Sequence, residues 1–264
     1  MVMTGPVGSG KTTLLNTFLY LVSTRRTEYT KVNSAMIVNP LLTRDELMES
    51  ILDEFDISCS STSKPRRLNA LREFLLQTRT NNGLAVLIID EAHLMTFELL
   101  EEIRLLSNLD TMGGKLLQIV ICGQPELYGK LSQPQLLALR QRIAVTAELR
   151  ALSEMETKKY LEDRLKTAGL NSASPFTAEA VQEIHQTSGG IPRIINLMAD
   201  QLLLLACSAG KRLIGPDAVR TVKQMNIFGE IETPPKAKTA AASDTGSLEE
   251  QVQTSLEAEV NGTR

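Results

Sequence analysis

Near its amino end the chain reads Gly5-Pro6-Val7-Gly8-Ser9-Gly10-Lys11-Thr12-Thr13. Gly5 to Thr12 fits G-x-x-x-x-G-K-T, a spacing that suits a loop wrapped around phosphates. Gly8 and Gly10 allow a backbone nest whose N–H groups converge on anionic oxygens. Lys11 adds a positive charge near the β- and γ-phosphates, and the Thr12 hydroxyl is placed to ligate Mg²⁺. Thr12–Leu19 then reads as a helix whose N-terminal dipole also favours an anion. The pattern predicts a binding loop for ATP, made by Gly5, Pro6, Val7, Gly8, Ser9, Gly10, Lys11, Thr12 and Thr13.

A second landmark lies further along. Leu84–Ile89 is an uninterrupted apolar run, as expected of a strand buried on both faces of a parallel sheet. It ends in Asp90-Glu91-Ala92-His93, where open α/β sheets place their ligands. Asp90 is expected to hold Mg²⁺, together with Thr12. Glu91 is expected to polarise the water that attacks the γ-phosphate. Between the landmarks, Asn33–Val38 reads as a strand. A strand there, and Glu directly after Asp, mark the branch of phosphate-loop ATPases with an inserted strand and a catalytic glutamate. They disfavour kinases and small GTPases, and no guanine-reading N-K-x-D follows.

Helix starts are written at Thr43 and Ser153, each followed three residues on by Glu in a capping box. Arg66–Thr80 and Phe97–Asn108 carry helical apolar spacing, and Leu116–Cys122 is another buried strand. It runs into Gly123-Gln124-Pro125. Gln124 either touches the γ-phosphate or the attacking water, or is a plain turn residue. Pro134–Ile143, with Arg140 and Arg142, reads as a helix, and Ala144–Leu149 as a short strand. After Leu152 all reads as helix: from Ser153 to about Ala168, Thr177–Ser188, a segment opened by Ile191-Pro192-Arg193, and Pro216–Met225. A cation at a helix start opposes the dipole, and a bound phosphate at Arg193 relieves that cost.

Composition sets the bounds. The 264 residues carry a net charge of -3, with 28 basic and 31 acidic side chains. Residues 230–264 hold 7 acidic and 3 basic of these, leaving a near-neutral body of 25 basic and 24 acidic. A neutral body neither requires nor excludes nucleic acid. Three widely spaced cysteines (Cys59, Cys122, Cys207) suggest reduced thiols and a cytoplasmic protein. Two histidines, His93 and His185, make a zinc site improbable. No apolar run reaches membrane-spanning length. Met1–Thr4 reads as the stub of a strand, so material before the phosphate loop is expected to be missing. Residues 230–264, rich in Pro, Ala, Ser, Thr and Glu, are expected to be a disordered tail with a transient helix around Leu248–Val260.

On these motifs the chain resembles the AAA+ ATPases, and more narrowly the ExeA/GspA-type secretion ATPases and their relatives at polysaccharide-export loci. The resemblance runs from about Met1 to Phe228, and G-Q-P-E-L, L-R-Q-R-I and S-G-G-I-P-R-I-I-N are its most specific marks. It implies an α/β fold: a P-loop NTPase αβα sandwich with a parallel five-stranded sheet in residues 1–150, then a small all-helical lid in 151–229. It places Gln124 at the sensor-1 position and Arg193 at the sensor-2 position. It makes Arg142 the arginine finger toward a neighbouring subunit's ATP, with Arg140 the fallback. It also implies a homo-oligomer, ATP and Mg²⁺ as ligands, and components of secretion or export machinery as partners. The location is then cytoplasmic, or peripheral at the inner membrane through partners. Against the relatives, the segment that helps enclose the adenine, and the transmembrane and periplasmic parts of the type II secretion members, are expected to be lacking.

The function these readings favour is an ATP-hydrolysing oligomeric switch for a secretion, pilus or polysaccharide-export system. The alternative is a DNA-binding ATPase regulator of transposition of the TniB/TnsC type, so DNA is a candidate partner but not the favoured one. A non-hydrolysing, ATP-binding scaffold is disfavoured by Glu91. A DEAH helicase is excluded, because residues 151–229 are too few and too helical for a second RecA-like domain.

Overall fold

The computed structural model describes residues 1–24, 29–111 and 114–225. The expectations for the tail from residue 230 lie outside them. In chain order the elements are β1 (Val2–Thr4), α1 (Lys11–Thr24), β2 (Lys31–Ile37), α2 (Arg44–Glu54), α3 (Lys64–Thr80) and β3 (Gly83–Ile89). Then come α4 (Phe97–Leu106), a two-residue hairpin β4 (Asp110–Thr111) and β5 (Gly114–Lys115), β6 (Leu117–Gly123), α5 (Glu126–Leu131), α6 (Leu137–Arg140) and β7 (Thr146–Glu148). Four helices close the series: α7 (Glu154–Thr167), α8 (Ala178–Ser188), α9 (Pro192–Ser208) and α10 (Pro216–Gln224).

Five strands form one sheet in the order β2-β3-β6-β1-β7, and every pairing within it is parallel. The period-two rule of strands sorts their apolar residues onto two faces. Ala85, Leu87 and Ile89 of β3 and Ile121 of β6 join the core under α2, α3 and α4. Val86, Ile88, Val120 and Cys122 point the other way, onto Leu15 of α1. A sheet covered on both faces explains why β3 contains no polar residue. Burying a side chain such as Leu87, which is fully enclosed, contributes about 1.5–3 kcal/mol.

Both capping boxes form. Thr43 and Glu46 at α2, and Ser153 and Glu156 at α7, bond each other's backbone reciprocally. Such a cap stabilises its helix by ~1 kcal/mol. Thr96 and Thr177 cap α4 and α8.

The helices after Leu152 have a core of their own. Leu161, Ile184, Ile195, Met198, Leu202 and Val222 meet there. Gly190 fits the chain into this region: it has φ +73, and a Cβ on it would lie 2.0 Å from the Leu152 carbonyl oxygen. The Leu152 N–H in turn donates to the Gly190 carbonyl at 2.9 Å. No other residue type fits that crossing.

The inserted strand of the catalytic-glutamate ATPase branch is present: β6 stands between the phosphate-loop strand β1 and the acid strand β3, while β2, which precedes β3 in sequence, is the sheet edge. Order along the chain does not fix order in a sheet whose crossovers can skip a strand. The segment Pro134–Ile143 is not one helix. It is a 3₁₀ turn, Pro134–Leu136, followed by the single turn α6, and Arg142 lies beyond it in the turn before β7. Apolar spacing at Leu136 and Leu139 serves both shapes, and ten residues give a helix little cooperativity.

Candidate active site

The site is built at the carboxyl ends of β1, β3 and β6. The Gly5 N–H donates to the Gly123 carbonyl at 3.2 Å, which ties the loop to the end of β6. A Cβ on Gly5 would lie 2.8 Å from the Leu149 carbonyl oxygen, so the turn leaves room only for glycine. Gly8 and Gly10 have φ +77 and +94, in the region that side chains disfavour. Lys11 opens α1, and its ammonium is buried inside the loop. It donates to the carbonyls of Gly5 at 2.8 Å and Pro6 at 3.0 Å. The helix leaves the N–H groups of Lys11, Thr12 and Thr13 without intrahelical acceptors. Thr13 and Val7 are exposed, and the Ser9 hydroxyl is buried without a hydrogen-bond partner.

Thr12 and Asp90, 78 residues apart in sequence, touch. The Thr12 hydroxyl donates to Asp90 Oδ2 at 2.6 Å. Asp90 Oδ1 accepts the Glu91 N–H at 2.9 Å, and the carboxylate is buried. Behind it Cys122 fills the end of β6. Burial, then the neighbouring Asp90 charge, push its thiol up to about 12, so it is an inert packing group rather than a nucleophile.

Glu91 stands in the left-handed region, at φ 50 and ψ 32. Strain of this sort costs about 1–3 kcal/mol for a residue with a side chain. It turns the chain sharply after β3, and the 3₁₀ turn Ala92–Leu94 follows. The Glu91 side chain is partly exposed, and its Oε2 is buried without a hydrogen-bond partner. Gln124 follows β6 beside this turn, with its amide Nε2 3.0 Å from His93 Nε2. Lys130 on α5 donates to the carbonyls of His93 at 2.7 Å and Met95 at 2.6 Å, fixing the turn.

From the helical region, α9 reaches the loop. The Arg193 N–H donates to the Gly8 carbonyl at 3.1 Å. A Cβ on Gly8 would lie 2.7 Å from Arg193 Cβ. Arg193 therefore starts its side chain directly over the phosphate loop.

Arg140 and Arg142 are elsewhere. β7 runs parallel to β1, with Val2 opposite Thr146 and Thr4 opposite Glu148. The phosphate loop leaves the carboxyl end of β1, whereas Arg142 precedes the amino end of β7. The two are at opposite ends of the sheet. Both arginines are exposed, and neither has an ion pair among the described residues.

The residues present fit a triphosphate with its metal. The buried Lys11 cation, the free first-turn N–H groups and the orphaned Ser9 hydroxyl supply donors for phosphate oxygens. Thr12 and Asp90 form a hard oxygen pair suited to Mg²⁺.

The AAA domain family matches residues 1–131. The chain is 38% identical over 215 residues to general secretion pathway protein A of Aeromonas hydrophila. The chain belongs to the AAA+ family, in its ExeA/GspA branch. The match takes in 81% of this chain but 38% of the relative's length. Among solved structures, Cdc6p of Pyrobaculum aerophilum superposes with a TM-score of 0.65 at 19% identity, over 86% of this chain and 61% of that one. The ADP form of Aeropyrum pernix ORC2 gives 0.63 at 16%, over 84% and 61%. The Thermotoga maritima RuvB branch migration motor gives 0.56 at 20%, over 85% and 60%. At these identities they are similar in fold alone.

Sequence reasoning did not give His93 or Lys130 a role here. His93 entered as one of two histidines too few for zinc and as the last residue of Asp90-Glu91-Ala92-His93. The available signal was position: a residue two past Glu91 in a tight turn returns to its side.

Proposed function

We propose that this AAA+ chain binds ATP through Gly5–Thr13 and hydrolyses it, working as an oligomeric switch for a secretion, pilus or polysaccharide-export apparatus. The observation that carries the reading is the Thr12–Asp90 contact, which joins the phosphate loop to the acid strand at 2.6 Å. Lys11 and the first-turn N–H groups bind and orient the phosphates. Thr12 and Asp90 would hold Mg²⁺, which when bound neutralises charge on the β- and γ-oxygens. Glu91 takes the proton of the attacking water. Gln124 contacts the γ-phosphate or that water, and Arg193 contacts the γ-phosphate from above the loop. Arg142 faces away from its own loop, which suits a finger acting on a neighbouring subunit's ATP, with Arg140 as its substitute. Residues 1–150 act as the ATPase core and 151–229 as its lid. The secretion assignment rests on the relative in Aeromonas hydrophila. No helix among the described residues is long and apolar enough to cross a membrane, which fits a cytoplasmic switch that meets the inner membrane through partners.

The test is ATP turnover against protein concentration, with and without double-stranded DNA. Specific activity should rise with concentration and ignore DNA. Turnover independent of concentration would contradict the finger in trans. Stimulation by DNA that fades with salt would replace the export reading with a transposition-type regulator.

A further inference from the structure

The turn that carries Glu91 has few hydrogen bonds of its own. Glu91 stands in the left-handed region, and the three-residue 3₁₀ turn Ala92–Leu94 follows it. Inside the turn, the Leu94 N–H donates to the Glu91 carbonyl at 2.9 Å and the Met95 N–H to the Ala92 carbonyl at 3.1 Å. So short a turn has no further winding to take up its last carbonyls, so those of His93 and Met95 need partners from elsewhere.

One group serves both. Lys130 Nζ donates to the His93 carbonyl at 2.7 Å and to the Met95 carbonyl at 2.6 Å. The ammonium also stands over the Phe97 ring, 6.0 Å from its centroid. Bonds from a charged donor are roughly twice as strong as neutral ones, and two from one cation fix two peptide planes together. Lys130 is well anchored, because α5 buries its neighbours Leu127 and Leu131. On the other side the turn is pressed onto β6: a Cβ on Gly123 would lie 3.1 Å from the His93 nitrogen and 3.5 Å from the Ala92 nitrogen. The turn is therefore held between the end of β6 and the Lys130 ammonium. Glu91 Oε2 has no hydrogen-bond partner, so the direction of the side chain is set from its backbone.

We propose that Lys130 is a positioning residue for the hydrolytic step: by binding the carbonyls of His93 and Met95 it keeps Glu91 in its left-handed conformation. This rests on the reading of Glu91 as the base. Lys130 touches neither nucleotide nor water in this role, so phosphate binding through Lys11 and the loop does not need it. The Leu127 N–H of α5 donates to the Gln124 carbonyl at 3.0 Å. The residue expected at the γ-phosphate and the support of the base thus belong to one short rigid piece.

The first test does not need turnover. Lys130→Met keeps the apolar stem and removes the donors, whereas Lys130→Arg keeps a cation with donors. In Lys130→Met the Leu94 and Met95 amides should lose about 10-fold in protection against hydrogen exchange, and Lys130→Arg should restore part of it. Unchanged protection in Lys130→Met would overturn the proposal. The second test reads kinetics. Lys130→Met should lower kcat about 10-fold or more with KM for ATP unchanged, and Lys130→Arg should recover part of the loss. In a Glu91→Gln background the same replacement should leave the residual kcat as it was, because the base it positions is gone. Wild-type kcat in Lys130→Met, a loss that falls on KM instead, or an equal loss in both backgrounds (the mark of general damage to the fold) would overturn it. Should the unaltered chain not turn over ATP, the hydrolysis reading itself fails, and the exchange of Leu94 and Met95 still decides whether Lys130 holds the turn.

Discussion

The two ends of the central sheet carry opposite kinds of side chain. At the carboxyl end, Lys11 and Asp90 are buried and Glu91 and Gln124 half-buried; Lys11 is bonded to the loop backbone, the Thr12 hydroxyl to Asp90, and the Gln124 amide meets His93. At the amino end, Arg140 and Arg142 are exposed and form no ion pair among the described residues. A charged group held within its own fold has its partners already. One projecting into solvent from a rigid turn is available to another molecule. On the proposed function, the first end would bind the nucleotide and the second would offer an arginine to a neighbouring copy's site. Head-to-tail packing of copies would bring the two ends together.

The largest effect breaks the first end alone. Lys11→Ala should abolish ATP binding, read by isothermal titration, because the buried cation inside the loop has no substitute. Retained affinity would mean that the loop is not the phosphate site. Next, Glu91→Gln should bind ATP normally, lose turnover by about 10²-fold or more, and trap the oligomer on gel filtration. Wild-type turnover there would remove Glu91 as base.

A smaller change probes how the helical region meets the loop. Gly8→Ala places a methyl 2.7 Å from Arg193 Cβ at a positive φ, which costs about 1–2 kcal/mol. The melting temperature should fall by several degrees, and double substitution with Arg193→Ala should not return it in full, since the backbone strain stays. The smallest test is chemical. With its thiol pushed up to about 12, Cys122 is almost wholly protonated near neutral pH and enclosed. A thiol reagent at about pH 8 should modify exposed Cys207 first and Cys122 last. Raising the pH increases the Cys122 thiolate only as its own value is approached. Early modification of Cys122 would mean that the end of β6 opens readily.

Much of the first end was legible in sequence because its determinants are local. A loop of fixed spacing, a wholly apolar strand ended by Asp-Glu, and two capping boxes each declare themselves within about ten residues. The Thr12–Asp90 contact follows once the two strands share a sheet edge. What stayed hidden depends on non-local geometry. The place of β6 between β1 and β3 is a matter of crossover. The end of α6 at Arg140, which leaves Arg142 outside a helix, reflects a segment too short to be a stable helix by itself. The contact of Gln124 with His93 joins residues 31 apart by way of a left-handed turn at Glu91, which no propensity predicts.

The most direct test of the claim that the two ends meet across copies is to mix two crippled chains. Glu91→Gln keeps its arginines but lacks the base. Arg142→Ala keeps its whole nucleotide site but should itself lose turnover about 10³-fold. In mixed oligomers, an Arg142→Ala site receives a finger from a Glu91→Gln neighbour. The account predicts that the mixture recovers ATP turnover that neither variant shows alone, with a maximum at intermediate ratios. Turnover no greater than the sum of the two separate variants would contradict it.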